Sequence, residues 1–233
     1  GSGKTTLLRR WQQEPSLRGS AYIVHDLSAF GVDAEILSEE NSNPQPGRLV
    51  DRVAALHGTH ARETLHKSAG RVLKKIATLN PSPPHVLCES TGAARPWPLI
   101  GALTQNKTFR LRHFIVTVDA LNLHRDFQDG RVFVGEESLS DDAALQCAAG
   151  ILAEQLLFAS VIILTKIDTV PKAVADAQVR VLRMLQPQAT VGLSSHAGLL
   201  LSQLDATRAP KLADIKQRAK RFSLSLETPT ADE

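Results

Sequence analysis

Gly1-Ser2-Gly3-Lys4-Thr5-Thr6-Leu7-Leu8 forms the amino-terminal end of this 233-residue chain. Its first five residues match the last five positions of the phosphate-binding pattern G-x-x-x-x-G-K-[ST], and they run straight into a helical stretch. Gly3 takes the place of the second glycine, where a Cβ would hold the backbone away from phosphate oxygens. The N–H groups of Gly1, Ser2 and Gly3 can form an anion nest. The helix that follows turns its positive end toward the same anion. Lys4 is placed to reach the β- and γ-phosphates, Thr5 to put its hydroxyl on Mg²⁺, and Thr6 to bond the α-phosphate. The competing reading is a glycine-rich turn before a helix, and the remainder of the chain decides between the two.

Residue 1 is not Met, and no apolar strand precedes the loop. The reading therefore expects a chain clipped at its amino terminus, with the first strand of its sheet missing. Lys+Arg 27 against Asp+Glu 24 leaves only +3, and the densest basic cluster, Lys216 to Arg221, reads as a solvated helix face. Nucleic acid is thus not an expected partner. Two cysteines give no disulfide framework and suit a reducing, cytoplasmic compartment. The longest apolar region, Ala143 to Leu164, is interrupted by Gln146, Glu154, Gln155 and Ser160. It reads as a buried helix followed by a buried strand, with no membrane span expected.

Apolar runs at 21–24, 85–88, 114–118 and 161–164, and a weaker one starting at 190, read as strands. Helical spacing is expected over 5–13, 34–37, 61–79, 98–104, 141–159, 172–185 and 209–222. Residues 38–47 read as a mobile loop and 227–233 as a disordered tail. Continuous apolar strands alternating with helices imply an α/β fold with a largely parallel sheet covered on both faces, the P-loop NTPase three-layer sandwich. The domain is expected to span 1–205, with 206–233 a helix and tail. Ligands of such sheets bind beyond the carboxyl ends of the strands.

The chemistry-bearing residues lie there. Glu89-Ser90-Thr91-Gly92 follows one strand. Glu89 can order Mg²⁺ through a water, and the Gly92 N–H can meet a γ-phosphate. Thr165-Lys166-Ile167-Asp168 follows another and fits the [NT]-K-x-D guanine-reading pattern. Asp168 can accept from guanine N1–H and its 2-amino group, a donor pair that adenine lacks. The Lys166 stem can pack along the base, and Thr165 carries a hydroxyl where Asn is commoner. Ser194, in Leu193-Ser194-Ser195-His196, lies where a backbone N–H can meet guanine O6, although so short a match also arises by chance. Asp26 and Asp33 fall in the switch I position, where either can face Mg²⁺ or the attacking water. We place Asp26 on the metal and Asp33 in the catalytic set with Lys4 and Glu89, against a reading of Asp33 as a helix cap. Asp119, at another strand end, reads as a cap rather than a ligand, and Cys88 as core.

In this order the pieces resemble the CobW-like GTPases, relatives of the hydrogenase and urease nickel-insertion GTPases, over about residues 1–205. Gly3-Lys4-Thr5-Thr6-Leu7-Leu8 is similar to the family's G-K-T-T-L-L, and Gly31-Val32-Asp33-Ala34-Glu35-Ile36-Leu37 to its G-[IV]-D-x-x-L. Glu89 to Pro96 resembles E-x-[ST]-G-L-A-D-P, with Arg95 in the place of Asp, and Gln155 to Ile162 resembles the helix-to-strand junction before N-K-x-D. The resemblance implies a Mg²⁺-dependent GTPase cycling between GTP and GDP, of the metal-homeostasis or metallochaperone type, acting on a client metalloprotein. The family's C-x-C-C site has no cysteine here: Gly58-Thr59-His60-Ala61-Arg62 stands in its place. His57 and His60, with His66 nearby, are the candidate ligands for Zn²⁺ or a similar ion, against a reading of polar-loop and helix-face histidines. The family's usual C-terminal domain has no counterpart in the last thirty or so residues. No arginine finger or catalytic Gln can be placed, so slow intrinsic turnover is expected, with acceleration by a partner or a homodimer.

Two alternatives remain at this point. One is a nucleotide-gated switch with little hydrolysis, and the other an ATP-using small-molecule kinase, which would need no guanine-reading carboxylate. Asp168→Asn should shift base preference from guanine to xanthine nucleotides, because the 2-carbonyl of xanthine suits an amide donor. Competition binding with GTP, XTP and ATP checks this, and an unchanged preference would remove Asp168 from base recognition.

Overall fold

The computed structural model describes residues 2–26, 52–57, 62–92, 94–96, 99–101, 108–123, 143–196, 198–199, 204, 211, 213–214 and 217, with the backbone alone at 26, 54–57, 62–68 and 143–149. Two compact units are present, Lys4–Leu111 and Gly1–Gly3 with Arg112–Glu233. Each builds an α/β arrangement around a three-stranded parallel sheet.

In the Lys4–Leu111 unit, α1 (Lys4–Gln12) and a 3₁₀ turn (Pro15–Leu17) lead into β1 (Ala21–Asp26). Strand β2 (Val53–His57), helix α2 (Arg62–Ala77) and strand β3 (Val86–Glu89) follow, with strand order β2-β1-β3. The central strand explains its own composition. Alternate residues of a strand point to opposite faces. Ala21 and Ile23 pack with Ala69, Leu73 and Ile76, one stripe of α2, while Tyr22 and Val24 pack with Leu8 of α1. Both faces of β1 are therefore apolar, which is why it reads as an unbroken hydrophobic run. Helix α2 stops where Asn80-Pro81-Ser82-Pro83-Pro84 can neither donate regularly nor hold helical φ/ψ ahead of each proline.

β2 escapes the sequence reading. Val53-Ala54-Ala55-Leu56-His57 holds two alanines, which carry little strand preference. Its pairing to β1, Ile23 opposite Ala54 and Asp26 opposite His57, supplies what local preference does not. This corrects the loop reading of His57, which closes a strand. Arg52, just ahead of β2, is 5% exposed, and its guanidinium donates to the carbonyls of Gly19 and Pro81, the latter at 2.6 Å. These bonds let a buried cation keep its donors satisfied.

In the other unit, β4 (Ile115–Asp119), α3 (Ala143–Phe158), β5 (Val161–Thr165), a 3₁₀ turn (Ile167–Thr169), α4 (Lys172–Leu185) and β6 (Thr190–Ser194) follow in order, with strand order β4-β5-β6. β5 is buried at every position. Val116, Val118, Leu156, Ala159, Ile162, Leu164 and Leu182 make its core, to which each buried Leu, Ile or Val contributes roughly 1.5–3 kcal/mol. The last carbonyls of a helix lack partners within it. In α3, Gln186, fully buried, donates its Nε2 to Leu157 O at 2.7 Å and to Leu156 O at 3.2 Å, and Leu156 O also accepts from Ala159 N at 3.1 Å. The long apolar stretch thus resolves into α3 and β5 as expected, and among the described residues no helix is long and apolar enough to cross a membrane. The expected segments at 34–37 and 38–47 and the tail lie outside the described residues, as does most of 209–222.

Cys88, in β3, packs against the Ala21–Ile23–Leu73 cluster, and burial pushes its thiol up from 9.0 to about 12. The folded chain then keeps a proton that the unfolded chain releases. Its contribution to stability is complete below pH 9.0 and is lost as the pH rises through about 12. Urea unfolding of wild type should therefore weaken more steeply than that of Cys88→Ala between about pH 8.5 and 10.5. Parallel profiles would show that the thiol is not desolvated.

Candidate functional site

Parallel strands end on one edge, so within each unit the polar strand ends fall in a row. Glu89 closes β3, beside β1, which ends at Asp26. Asp119, Thr165 and Ser194 stand in register across β4, β5 and β6.

In the Lys4–Leu111 unit, Thr5 Oγ1 donates to Glu89 Oε1 at 2.6 Å. Glu89 is 8% exposed. The first turn of α1 and the end of β3 thereby bring together a hydroxyl and a carboxylate that the sequence reading assigns to one Mg²⁺, Glu89 through a water. Two hard oxygen donors with one negative charge are the donor set that Mg²⁺ takes from protein, leaving its other positions to water and phosphate. Lys4 lies beside Gly92: a β-carbon at Gly92 would stand 3.6 Å from Lys4 Nζ. The lysine ammonium and the glycine turn after Glu89, both read as γ-phosphate contacts, are thus neighbours. Thr6 is exposed on α1.

In the other unit, Gly3 has φ +84°, a conformation that glycine adopts without a steric penalty. Nothing lies within 4 Å of where its β-carbon would be, so the backbone angle, not crowding, selects glycine. Thr165 Oγ1 lies 3.0 Å from Ser2 O and 3.1 Å from Val118 O. Ser2 Oγ meets Thr117 Oγ1 at 2.8 Å. The start of the glycine turn is therefore held at the ends of β4 and β5, by the first residue of the Thr165–Asp168 motif itself.

Lys166 has left-handed backbone, φ +56°, and its carbonyl accepts from Thr169 N at 3.0 Å and Thr169 Oγ1 at 2.7 Å. This tight turn carries Asp168 at the surface, its side chain 38% exposed, with His196 Nε2 4.0 Å from Oδ2. Asp119 is 5% exposed. Its Oδ1 accepts from Leu121 N at 3.0 Å, and its Oδ2 from Asn122 Nδ2 at 2.8 Å and Lys166 Nζ at 2.6 Å. Burial works against ionisation of Asp119, but the bonds from Lys166, Asn122 and Leu121 N–H, with the Lys166 charge, outweigh it and hold the carboxyl below its usual range. Asp119 does cap its turn, and it also grips Lys166, which the sequence reading did not foresee. Thr117 and Thr169 were missed too; a hydroxyl mid-strand and one in a 3₁₀ turn carry no distinctive pattern. Ser194 is buried, 2% exposed.

Gly1, Asp33 and His60 lie outside the described residues, and Asp26, His57 and His66 are described by backbone alone. Among the described residues no group of three His, Cys, Asp or Glu side chains is placed to hold a metal.

Comparison with known proteins matches residues 1–192 to the family model for the CobW/HypB/UreG nucleotide-binding domain. The zinc chaperone CobW of Pseudomonas aeruginosa is 29% identical over 102 residues, 44% of this chain and 27% of that protein. The crystal structure of the Zn(II)-bound YjiA GTPase from E. coli aligns at TM-score 0.47 and 19% identity, covering 93% of this chain and 65% of that one. The chain thus spans about a quarter of the curated relative and under two-thirds of the solved one.

Thr5→Val keeps the shape of the side chain and removes its hydroxyl. Wild-type GDP affinity should rise with Mg²⁺ over EDTA, and the variant should lose most of that rise in calorimetry. Its stability should also fall by roughly 1–3 kcal/mol, because the buried carboxylate of Glu89 loses a donor. A variant that keeps the full Mg²⁺ effect would separate Thr5 from the metal.

Proposed function

The chain belongs to the CobW/HypB/UreG nucleotide-binding domain family, and from that premise we propose that it binds GTP with Mg²⁺ and hydrolyses it slowly to GDP and phosphate. The observation that most supports a guanine nucleotide is the bond from Thr165 to the Ser2 carbonyl. It ties the guanine-reading motif to the phosphate-binding turn, so the two need not be brought together when ligand arrives.

In this reading Lys4 and the N–H groups of Gly1, Ser2 and Gly3 stabilise phosphate charge, with Thr6 on the α-phosphate and the Gly92 N–H on the γ-phosphate. Bound Mg²⁺ would neutralise charge on the β- and γ-oxygens. Thr5 would hold it, Glu89 would order it and Asp26 would help face it. Asp33 is assigned to the attacking water. Asp168 reads the guanine edge, Lys166 flanks the base, and Ser194 contributes its N–H near O6.

The biological role we propose is metal homeostasis or metal insertion, acting on a client metalloprotein, with His57 and His60 as candidate ligands for Zn²⁺ or a similar ion. The similarity to a zinc chaperone supports this role. A second reading, a nucleotide-gated switch without metal transfer, is favoured by the absence of cysteine from Gly58 to Arg62. Metal content and GTP turnover of the purified protein, with and without added Zn²⁺, separate the two. One Zn²⁺ per chain that is lost in His60→Ala, with turnover responding to the metal, supports the chaperone. GTP binding with neither metal uptake nor a metal response supports the switch. Equal affinity for GTP and ATP defeats both.

A further inference from the structure

Asp119 has a bonding pattern that neither capping nor catalysis accounts for. Its two oxygens accept three donors, and it is nearly fully buried. A carboxylate so committed is not available to ligate a metal or to take a proton from water. What it does is fix one particular side chain. Asp119 and Thr165 are opposite each other in the β4–β5 register, and Lys166 follows Thr165. The Lys166 stem is consequently stretched from the end of β5 to the carboxylate at the end of β4, with the ammonium pinned at 2.6 Å. The backbone of the same residue is pinned separately, because Thr169 bonds its carbonyl twice and holds it in the left-handed region.

A lysine side chain has many rotamers, and ordering it costs conformational entropy. Here the ordering precedes ligand binding, so a base that packs on the stem does not bear that cost. The side chain is also still 38% exposed, so its methylenes can accept a packing partner.

We propose that Asp119 is a positioning residue for guanine recognition: its bond to Lys166 Nζ sets the Lys166 stem as a ready apolar wall for the base that Asp168 reads. This rests on the guanine reading given above. Asp119 acts through Lys166 alone and touches no part of the nucleotide. The exchange of Asp119 for Asn keeps the volume and the acceptor for Leu121 N–H while it removes the charge that attracts Lys166.

A double-mutant cycle on the full chain tests it, with GDP and ADP as probes in calorimetry and a thermal unfolding curve for each variant. Asp119→Asn should weaken GDP binding about tenfold, and Asp119→Glu, which keeps the charge but moves it by one methylene, should fall between Asn and wild type. Lys166→Met should also weaken GDP, and adding Asp119→Asn to it should weaken GDP no further. A merely structural role would lower the unfolding midpoint while the two effects multiplied, and that result overturns the proposal. So does a folded Asp119→Asn that binds GDP as wild type does. Should Asp119→Asn fail to fold, Asp119→Glu decides, and wild-type GDP affinity in that variant overturns the proposal. Wild-type protein that binds GDP and ADP equally removes the guanine reading, and the proposal with it; because that is read on wild type alone, the two failures are distinguishable.

Discussion

One hydroxyl joins the end of β5 to the start of the glycine turn. Thr165 ends a fully buried strand, and its Oγ1 reaches both the carbonyl of Val118 on the neighbouring strand and that of Ser2 in the glycine turn. The turn at Ser2 and Gly3 carries one left-handed glycine. Its start is fastened to β5, which is buried at every residue. Thr165 is thus at once the end of β5, the first residue of the Thr165–Asp168 motif and a partner of the glycine turn.

The same economy recurs along the strand ends. Thr5 and Glu89 lie far apart in sequence, yet α1 and β3 bring their oxygens into contact. Asp119 and Lys166 are likewise joined by neighbouring strands. In each pair one group is mostly buried and the other is partly open to solvent. The buried member gains strength from its low-dielectric surroundings, and the open member remains accessible.

Much of this was legible in the sequence. Strands β1, β3, β4 and β5 announce themselves because parallel strands covered on both faces are apolar throughout, and α2 and α4 because one face of each carries the regular apolar spacing. Motif order and a parallel sheet are enough to put Thr5 and Glu89 around one expected Mg²⁺, but not to name their direct bond. What was not legible depends on partners distant in sequence. Val53 to His57 is strand-forming only beside β1. The grip of Asp119 on Lys166 requires knowing that β4 and β5 are adjacent and in which register, and Asp119 taken alone looks like any strand-end cap. Gln186, a polar residue after a helix, gives no sign that it will be sealed inside.

That sealed amide has a bearing on how the unit assembles. The carbonyl of Leu156 already accepts from its neighbour Ala159 N–H at 3.1 Å, but that of Leu157 takes Gln186 Nε2, a side chain that follows β5 and α4 in the chain. Without Gln186 in place, the Leu157 carbonyl would need water as its partner. Seating of Gln186 on this helix end and docking of α4 are thereby coupled, because one residue at the end of α4 takes part in both.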